Sequence, residues 1–179
     1  MPQTSNVIRI AIISDTHGIV DPSILDVIKN CDQVIHAGDI CSASVLEQII
    51  AVNDKLTAVT GNNDIAALWA ADEADIVNAI PRTAELDLPG GKLCIEHGHI
   101  HGMQQPDHQL LREAHGDARM IVYGHTHTQI IDDGELPIVI NPGAAGHTRT
   151  RGGPSCLILE ASETEWKIEK FRFEESIAA

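Results

Sequence analysis

The chain has 179 residues, enough to bury a core of its own without disulfides or structural metal. Its formal net charge of −14, with no basic stripe, excludes a broad surface for long nucleic acid. No apolar run approaches the roughly 20 residues that span a bilayer, and no secretory signal pattern is present, so we expect a cytoplasmic protein that binds no membrane. The four cysteines are scattered, which predicts reduced thiols rather than a disulfide framework.

The first half of the chain alternates strand and helix patterns. Apolar, β-branched runs predict strands at 7–13, 33–37 and 56–59. Helix starts are indicated at Asp21-Pro22 and at Ser42 or Ser44, and an Ala-rich helix is predicted over 65–79. This repeated strand-then-helix order predicts parallel strands joined by right-handed crossovers.

The second half is richer in hairpin patterns, with turns at Gly and Pro. Strands are predicted at 83–88, 92–96, 119–123, 129–132, 136–140, 155–160 and 166–173, with one helix over 107–115 and a flexible stretch from 143 to 154. The whole pattern predicts one α/β domain over residues 1–179, with parallel strands first and antiparallel strands later.

Five predicted strands end in loops with metal-binding side chains. The segments are Asp15-x-His17, Gly38-Asp39, Gly61-Asn62, His97-Gly98-His99 and Gly124-His125-x-His127. Each pair taken alone is also an ordinary turn former. Because strand ends of an open α/β fold meet at one crevice, five such loops together predict a single site.

The ligand types in these loops indicate the chemistry. Carboxylates, imidazoles and an amide carbonyl suit divalent Mn, Fe, Co, Ni or Zn rather than a cysteine-rich structural zinc. Seven ligands with one shared carboxylate suit two ions about 4 Å apart, the arrangement that clamps a phosphoryl group.

In their order and neighbours, the five segments resemble the motifs of the calcineurin-like metallophosphoesterase superfamily. The short chain and the segment Asn141-Pro142-Gly143 resemble its small single-domain prokaryotic phosphodiesterase branch. The resemblance implies a four-layer α/β sandwich of two mixed sheets flanked by helices, with both sheets delivering loops to one site.

The resemblance also implies a ligand set for two divalent ions, with Mn as the first choice and Ni, Fe, Co or Zn as alternatives. The first ion would be held by Asp15, His17, Asp39 and His127, and the second by Asp39, Asn62, His97 and His125. Asp39 would therefore bridge the ions. Sequence spacing alone does not separate His97 from His99 as the ligand.

The sequence identifies the catalytic and substrate-binding residues less firmly than the metal ligands. Most members of the superfamily have a histidine after the ligand asparagine, where this chain has Asn63. That departure puts strong monoesterase activity in doubt. His99 is expected to help stabilise the phosphoryl oxygens. Arg149 and Arg151 are expected either to clamp the phosphate or to be solvated loop charges.

The function that these observations favour is hydrolysis of a small phosphodiester by a hydroxide that bridges two metal ions. Two alternatives stay open. One is a phosphomonoesterase or nucleotidase on the same fold. The other is a non-catalytic scaffold, since a retromer subunit shares this fold, although a complete ligand set speaks against it. The sequence leaves open whether the protein forms a homo-oligomer.

Overall fold

The computed structural model describes residues 7–175, which contain ten strands and four α-helices. The strands are β1 (Ile8–Ile13), β2 (Gln33–His36), β3 (Leu56–Ala58), β4 (Thr83–Leu88), β5 (Gly91–Glu96), β6 (Met120–Val122), β7 (Gln129–Asp132), β8 (Ile138–Pro142), β9 (Ser155–Ala161) and β10 (Trp166–Arg172). The helices are α1 (Pro22–Ile28), α2 (Ala43–Val52), α3 (Ala74–Ala79) and α4 (His108–Ala114). The assignment of 1–179 to one domain stays a prediction, and its ends at 1–6 and 176–179 lie outside the described residues.

The strands form two five-stranded sheets. The first has the order β10-β9-β1-β2-β3, in which β1, β2 and β3 are parallel, as predicted. The second has the order β4-β5-β6-β8-β7. The expectation of antiparallel strands later in the chain is only partly right, because β5, β6 and β8 pair in parallel. Both sheets are therefore mixed.

The core lies in three layers of apolar contact. Ile10 and Ile12 of β1 are fully buried in the cluster between the sheets. The alternate residues Ala11 and Ile13 pack against α1 and α2, which cover the outer face of the first sheet. Leu111 of α4 covers the second sheet. Burial on both faces explains the apolar run of β1, which only Arg9 interrupts, and the layers confirm the predicted four-layer sandwich.

Capping side chains begin the helices at the expected places. The Asp21 carboxylate accepts a hydrogen bond from the Ser23 amide at 2.8 Å, and Pro22 is the first helical residue. At the second helix, Ser42 rather than Ser44 is the cap, since its hydroxyl accepts from the Ser44 amide at 3.2 Å.

The predicted helix over 65–79 is wrong in its first part. Residues 65–70 form turns, a 3-10 turn covers 71–73, and only α3 is α-helical. Trp69 is buried and its indole N–H donates to the Asp64 carboxylate at 3.2 Å. This tertiary contact overrides the helix propensity of the alanines.

The stretch 143–154 is partly buried and partly exposed, with residues 147–149 and 151–152 at the surface. Ala144, Ala145 and Thr150 are buried, and the Ala145 amide donates to the Ser14 carbonyl at 2.9 Å. Within residues 7–175, no helix is long and apolar enough to cross a membrane.

Candidate metal centre

Loops from both sheets bring the predicted metal ligands together. They follow β1, β2 and β3 in the first sheet and β5 and β6 in the second. The two sheets meet where His97 Nε2 lies 3.4 Å from Asp39 Oδ1 and His127 Nε2 lies 3.4 Å from Asp15 Oδ1. All four of these side chains are buried. The sequence therefore delivers its ligands to one site, as the strand-end pattern predicts.

The first predicted ion site is compact. The candidate ligand atoms of Asp15, His17 and His127 lie within 4.8 Å of one another. His17 Nε2 is 3.1 Å from His127 Nε2 and 3.6 Å from Asp39 Oδ2. These contacts unite the four residues expected to hold the first ion.

The second predicted site is assembled less tightly. The ligand atoms of Asp15, Asp39 and His97 lie within 4.8 Å of one another, and His125 Nδ1 is 2.9 Å from Asn62 Oδ1. Asp15 belongs to both compact groups by distance. Asp39 faces His97 with Oδ1 and the first site with Oδ2, which is the placement that a bridging carboxylate needs.

The imidazoles are oriented for metal binding by hydrogen bonds on their other nitrogen. His97 Nδ1 lies 2.8 Å from the Ala37 carbonyl, and His127 Nδ1 lies 2.8 Å from the Thr148 carbonyl. A carbonyl only accepts, so each Nδ1 donates and Nε2 is left to coordinate. His97 Nε2 is buried without a hydrogen-bond partner among residues 7–175. This donor set fits divalent cations.

Burial also keeps the imidazoles of the first site neutral. It lowers the pKa of His127 to about 4 and lowers the pKa of His17 below its ordinary value. Both rings therefore present a lone pair at pH 7. Although burial opposes the charge of Asp39, a hydrogen bond and attraction from His97 hold the pKa of that carboxyl far below its usual range.

Binding of divalent cations is expected to release protons at neutral pH. In the absence of a cation, burial raises the pKa of Asp15 to about 7. Burial opposes the charged form of His97, but its close contact with Asp39 and the negative charges of Asp15 and Asp39 raise its pKa to about 9. Each cation must displace these protons, so its affinity should rise with pH and fall in mild acid.

Calorimetric titration with Mn²⁺ in two buffers of different ionisation enthalpy measures this release directly. We expect net proton release at pH 7, and less of it from the variant Asp15→Asn. Binding enthalpies that do not depend on the buffer would contradict the prediction.

The backbone at the site is strained. Eight non-glycine residues among 7–175 have left-handed conformations, with φ between 47° and 71°. Five are predicted ligands, and the full set is Asp15, His17, Asp39, Cys41, His125, His127, Arg149 and Arg151. Each such residue costs about 1–2 kcal/mol. Strain of this kind concentrates where side chains must be aimed at a functional site.

Two glycines allow the loops to approach each other. Gly38 has φ +95°, and a Cβ atom there would lie 2.7 Å from His97 Nδ1. A Cβ on Gly61 would collide with the Asp39 carboxylate. The glycines before Asp39 and Asn62 are therefore required by the close packing of the loops and are more than turn formers.

A functional residue that the sequence did not single out is Asp64. Its buried carboxylate accepts from the amides of Ile40 at 3.0 Å, Cys41 at 2.8 Å and Gly61 at 2.8 Å, and from the Trp69 indole at 3.2 Å. It thereby fastens the loop after β2 to the loop after β3. Its position directly after two asparagines in a ligand loop was the only available signal.

Comparison with known proteins identifies the family. Residues 8–164 match the profile of the calcineurin-like phosphoesterase superfamily domain. The chain belongs to this superfamily. It is 30% identical over 171 residues to a phosphodiesterase of Methanocaldococcus jannaschii, covering 89% of this chain and 96% of that protein.

Solved structures share the fold of this calcineurin-like phosphoesterase. One described as a novel archaeal phosphodiesterase superposes with a TM-score of 0.68 at 25% identity, covering 91% of this chain and 99% of that chain. Vps29 of Entamoeba histolytica, in a structure described as complexed with zinc, has a TM-score of 0.71 at 16% identity, with coverage of 94% and 99%.

The predicted catalytic residues of this phosphoesterase occupy different places. Asn63 lines the cleft beside the predicted ligands. Its backbone N–H donates to Asp39 Oδ1 at 2.9 Å, and its side-chain Nδ2 donates to Asp39 Oδ2 at 2.8 Å. His99 is not among the residues that line this cleft. Its ring lies beside His97, with centroids 5.6 Å apart, and it borders a separate cavity of about 50 Å³.

The two predicted substrate arginines both line the cleft of this phosphoesterase, whose volume is about 590 Å³. Arg149 Nη2 lies 3.3 Å from His127 Nε2. Arg151 Nε donates to the Thr126 carbonyl at 3.1 Å. Both residues are exposed, and their role as a phosphate clamp stays a prediction.

Proposed function

We propose that this calcineurin-like phosphoesterase is a dinuclear metal-dependent phosphodiesterase acting on small phosphodiesters. One observation carries the proposal. The buried carboxylates of Asp15 and Asp39 are faced by imidazoles of both sheets, one of which, His97 Nε2, has no hydrogen-bond partner among residues 7–175. Two buried carboxylates surrounded by coordinating nitrogens are stabilised when divalent cations bind between them.

When bound, divalent cations supply Lewis acidity and lower the pKa of water, which is what phosphodiester hydrolysis needs near pH 7. The carboxylates of Asp15 and Asp39 carry only half the charge that two such cations would bring, so the loaded site attracts an anionic phosphate. The nitrogen and oxygen donors, with no thiolate among the predicted ligands, suit Mn, Fe, Co, Ni or Zn, and the family resemblance makes Mn²⁺ the first choice.

The side chains around the ligands have positioning roles. Asn63 donates to both oxygens of Asp39 and so fixes the orientation of that carboxylate. The guanidinium of Arg149, beside His127, is placed to hold a phosphoryl oxygen in the same region. Neither residue supplies a proton readily at neutral pH, so neither is a general acid for the leaving group.

The size and lining of the cleft support a diester. Met103, whose carbonyl lies 2.7 Å from His125 Nε2, lines the cleft together with Arg149 and Arg151. At about 590 Å³, the cleft has room for both ester substituents of a phosphate at the metal centre.

Rates on bis(p-nitrophenyl) phosphate and p-nitrophenyl phosphate test the proposal, since the two substrates release the same group. We expect kcat/KM of the Mn²⁺-loaded protein to be higher for the diester. A higher value for the monoester would favour the phosphomonoesterase alternative and contradict the proposal.

The scaffold alternative is favoured by one comparison, the fold shared with Vps29. Because that Vps29 structure is described as complexed with zinc, metal binding alone does not distinguish a scaffold from an enzyme. Measurement of substrate turnover distinguishes them. Metal-loaded protein that binds two ions and hydrolyses neither substrate would favour the scaffold.

The variant Asn63→His is expected to flatten the dependence of rate on leaving-group pKa. Histidine at this position can give a proton to a departing alkoxide, assistance typically worth about 10²–10⁴-fold. We measure log kcat/KM across a series of aryl and alkyl diesters for the wild type, Asn63→His and the control Asn63→Ala. A slope in Asn63→His equal to that in Asn63→Ala would show that position 63 does not assist the leaving group.

A further inference from the structure

The arginines of the cleft are two residues apart and contact different parts of the site. Arg149 reaches a nitrogen of His127 that is expected to face the first ion. Arg151 is fixed through its Nε to the Thr126 carbonyl, which leaves the two Nη groups as donors. Arg149 therefore lies beside the predicted first ion site, and Arg151 lies further along the same loop.

Neither charge is neutralised by the protein. Within residues 7–175, the arginines that form ion pairs are Arg9 and Arg112. Arg149 and Arg151 join none, in a chain with 26 acidic residues and only 12 lysines and arginines. Two cationic side chains without acidic partners in one cleft are available to an anionic ligand.

The loop that carries them is built to hold both in place. Arg149 and Arg151 have φ of 50° and 51°, conformations that other side chains outside the metal loops avoid in the described part of the chain. Arg172 Nη1 donates to the carbonyls of Thr150 at 3.3 Å, Arg151 at 3.0 Å and Gly153 at 3.3 Å. The loop therefore holds both arginines at the cleft.

We propose that Arg151 binds a second anionic group, so that the preferred substrate is a phosphodiester with a further phosphate on one of its substituents. This inference rests on the proposed phosphodiesterase function. The second group would lie at Arg151, in the cleft that Arg149 also lines.

Two esters with the same scissile bond test the inference. They are p-nitrophenyl ethyl phosphate and the same ester with a phosphate on the end of its ethyl group. We expect kcat/KM of the Mn²⁺-loaded wild type to be about tenfold higher for the ester with the second phosphate. The ratio of the two values should fall towards one in Arg151→Gln and recover partly in Arg151→Lys, which keeps the charge.

Two further variants control for other causes. Arg149→Gln should lower kcat/KM for both esters and keep the ratio. Lys170→Gln, which removes an exposed charge of β10 outside the cleft, should leave the ratio at the wild-type value. Thermal melting and metal content of each variant establish that the fold and the metal centre are intact.

The outcomes separate the inference from the function on which it rests. Hydrolysis of both esters with a wild-type ratio near one, or a ratio that Arg151→Gln does not change, would overturn the inference alone. A ratio lost in Arg149→Gln and kept in Arg151→Gln would also overturn it. No hydrolysis of either ester would contradict the proposed phosphodiesterase function itself.

Discussion

Replacement of Asp39 by asparagine is expected to abolish phosphodiester hydrolysis and to reduce the bound metal from two ions to one or none. Asp39 lies 3.6 Å from His17 and 3.4 Å from His97, so its two oxygens face the two predicted ion sites. The amide of asparagine has the same shape but no charge to place between two cations. The loss should exceed the roughly 100-fold typical of removing an outer partner of a metal ligand.

Metal analysis and turnover of the purified variant check this expectation. Asp26→Asn removes the charge of an exposed aspartate on α1 and is the matched control. Two ions retained by Asp39→Asn with normal affinity would contradict the assignment of Asp39 as the bridging ligand.

Replacement of Asp64 by alanine should have the second largest effect, and it should act on the fold as well as the site. Four donors lose their acceptor, three of them backbone amides of the loops after β2 and β3. Each buried donor left without a partner costs about 1–3 kcal/mol, so the free energy of unfolding should fall by about 3 kcal/mol or more. Because the same loops carry Asp39 and Asn62, metal affinity should also weaken.

Urea unfolding of the metal-stripped protein separates the two effects, since bound metal would itself stabilise the fold. Asp54→Ala changes an exposed aspartate and should leave both quantities near the wild-type values. Unchanged stability and unchanged metal affinity in Asp64→Ala would show that the four hydrogen bonds do not hold the loops.

The sequence predicted the structure best where a residue pattern has one dominant physical cause. The apolar run of β1, which only Arg9 interrupts, predicts a strand buried on both faces, and Ile10 and Ala11 are indeed buried on opposite sides. The ligand loops were predictable because histidines rarely follow strands. The parallel order of the strands brings together the loops of one sheet, whereas the meeting of the two sheets depends on their packing.

Features set by distant contacts could not be predicted. The turns at 65–70 depend on Trp69 reaching Asp64, and the role of Asp64 depends on amides of Ile40 and Cys41, more than twenty positions earlier. His99 follows the left-handed turn at Gly98, with φ +93°, and its ring lies 6.1 Å from that of His125 between centroids, so its catalytic role stays a prediction.

The placement of the second sheet shows the same limit. Its strands β5, β6 and β8 are parallel although hairpin patterns dominate the sequence around them. β7 lies between β6 and β8 in the chain, but it pairs antiparallel with β8 at the edge of the sheet. Local turn residues specify the hairpin of β7 and β8, but they carry no information on which earlier strand pairs with this hairpin.

The number of divalent ions needed for turnover tests the central claim most directly. Metal-stripped protein is titrated with Mn²⁺ while hydrolysis of bis(p-nitrophenyl) phosphate is followed. The dinuclear site predicts that the rate reaches its plateau only when two ions are bound per chain. A plateau at one ion per chain, or no hydrolysis at any metal concentration, would contradict it.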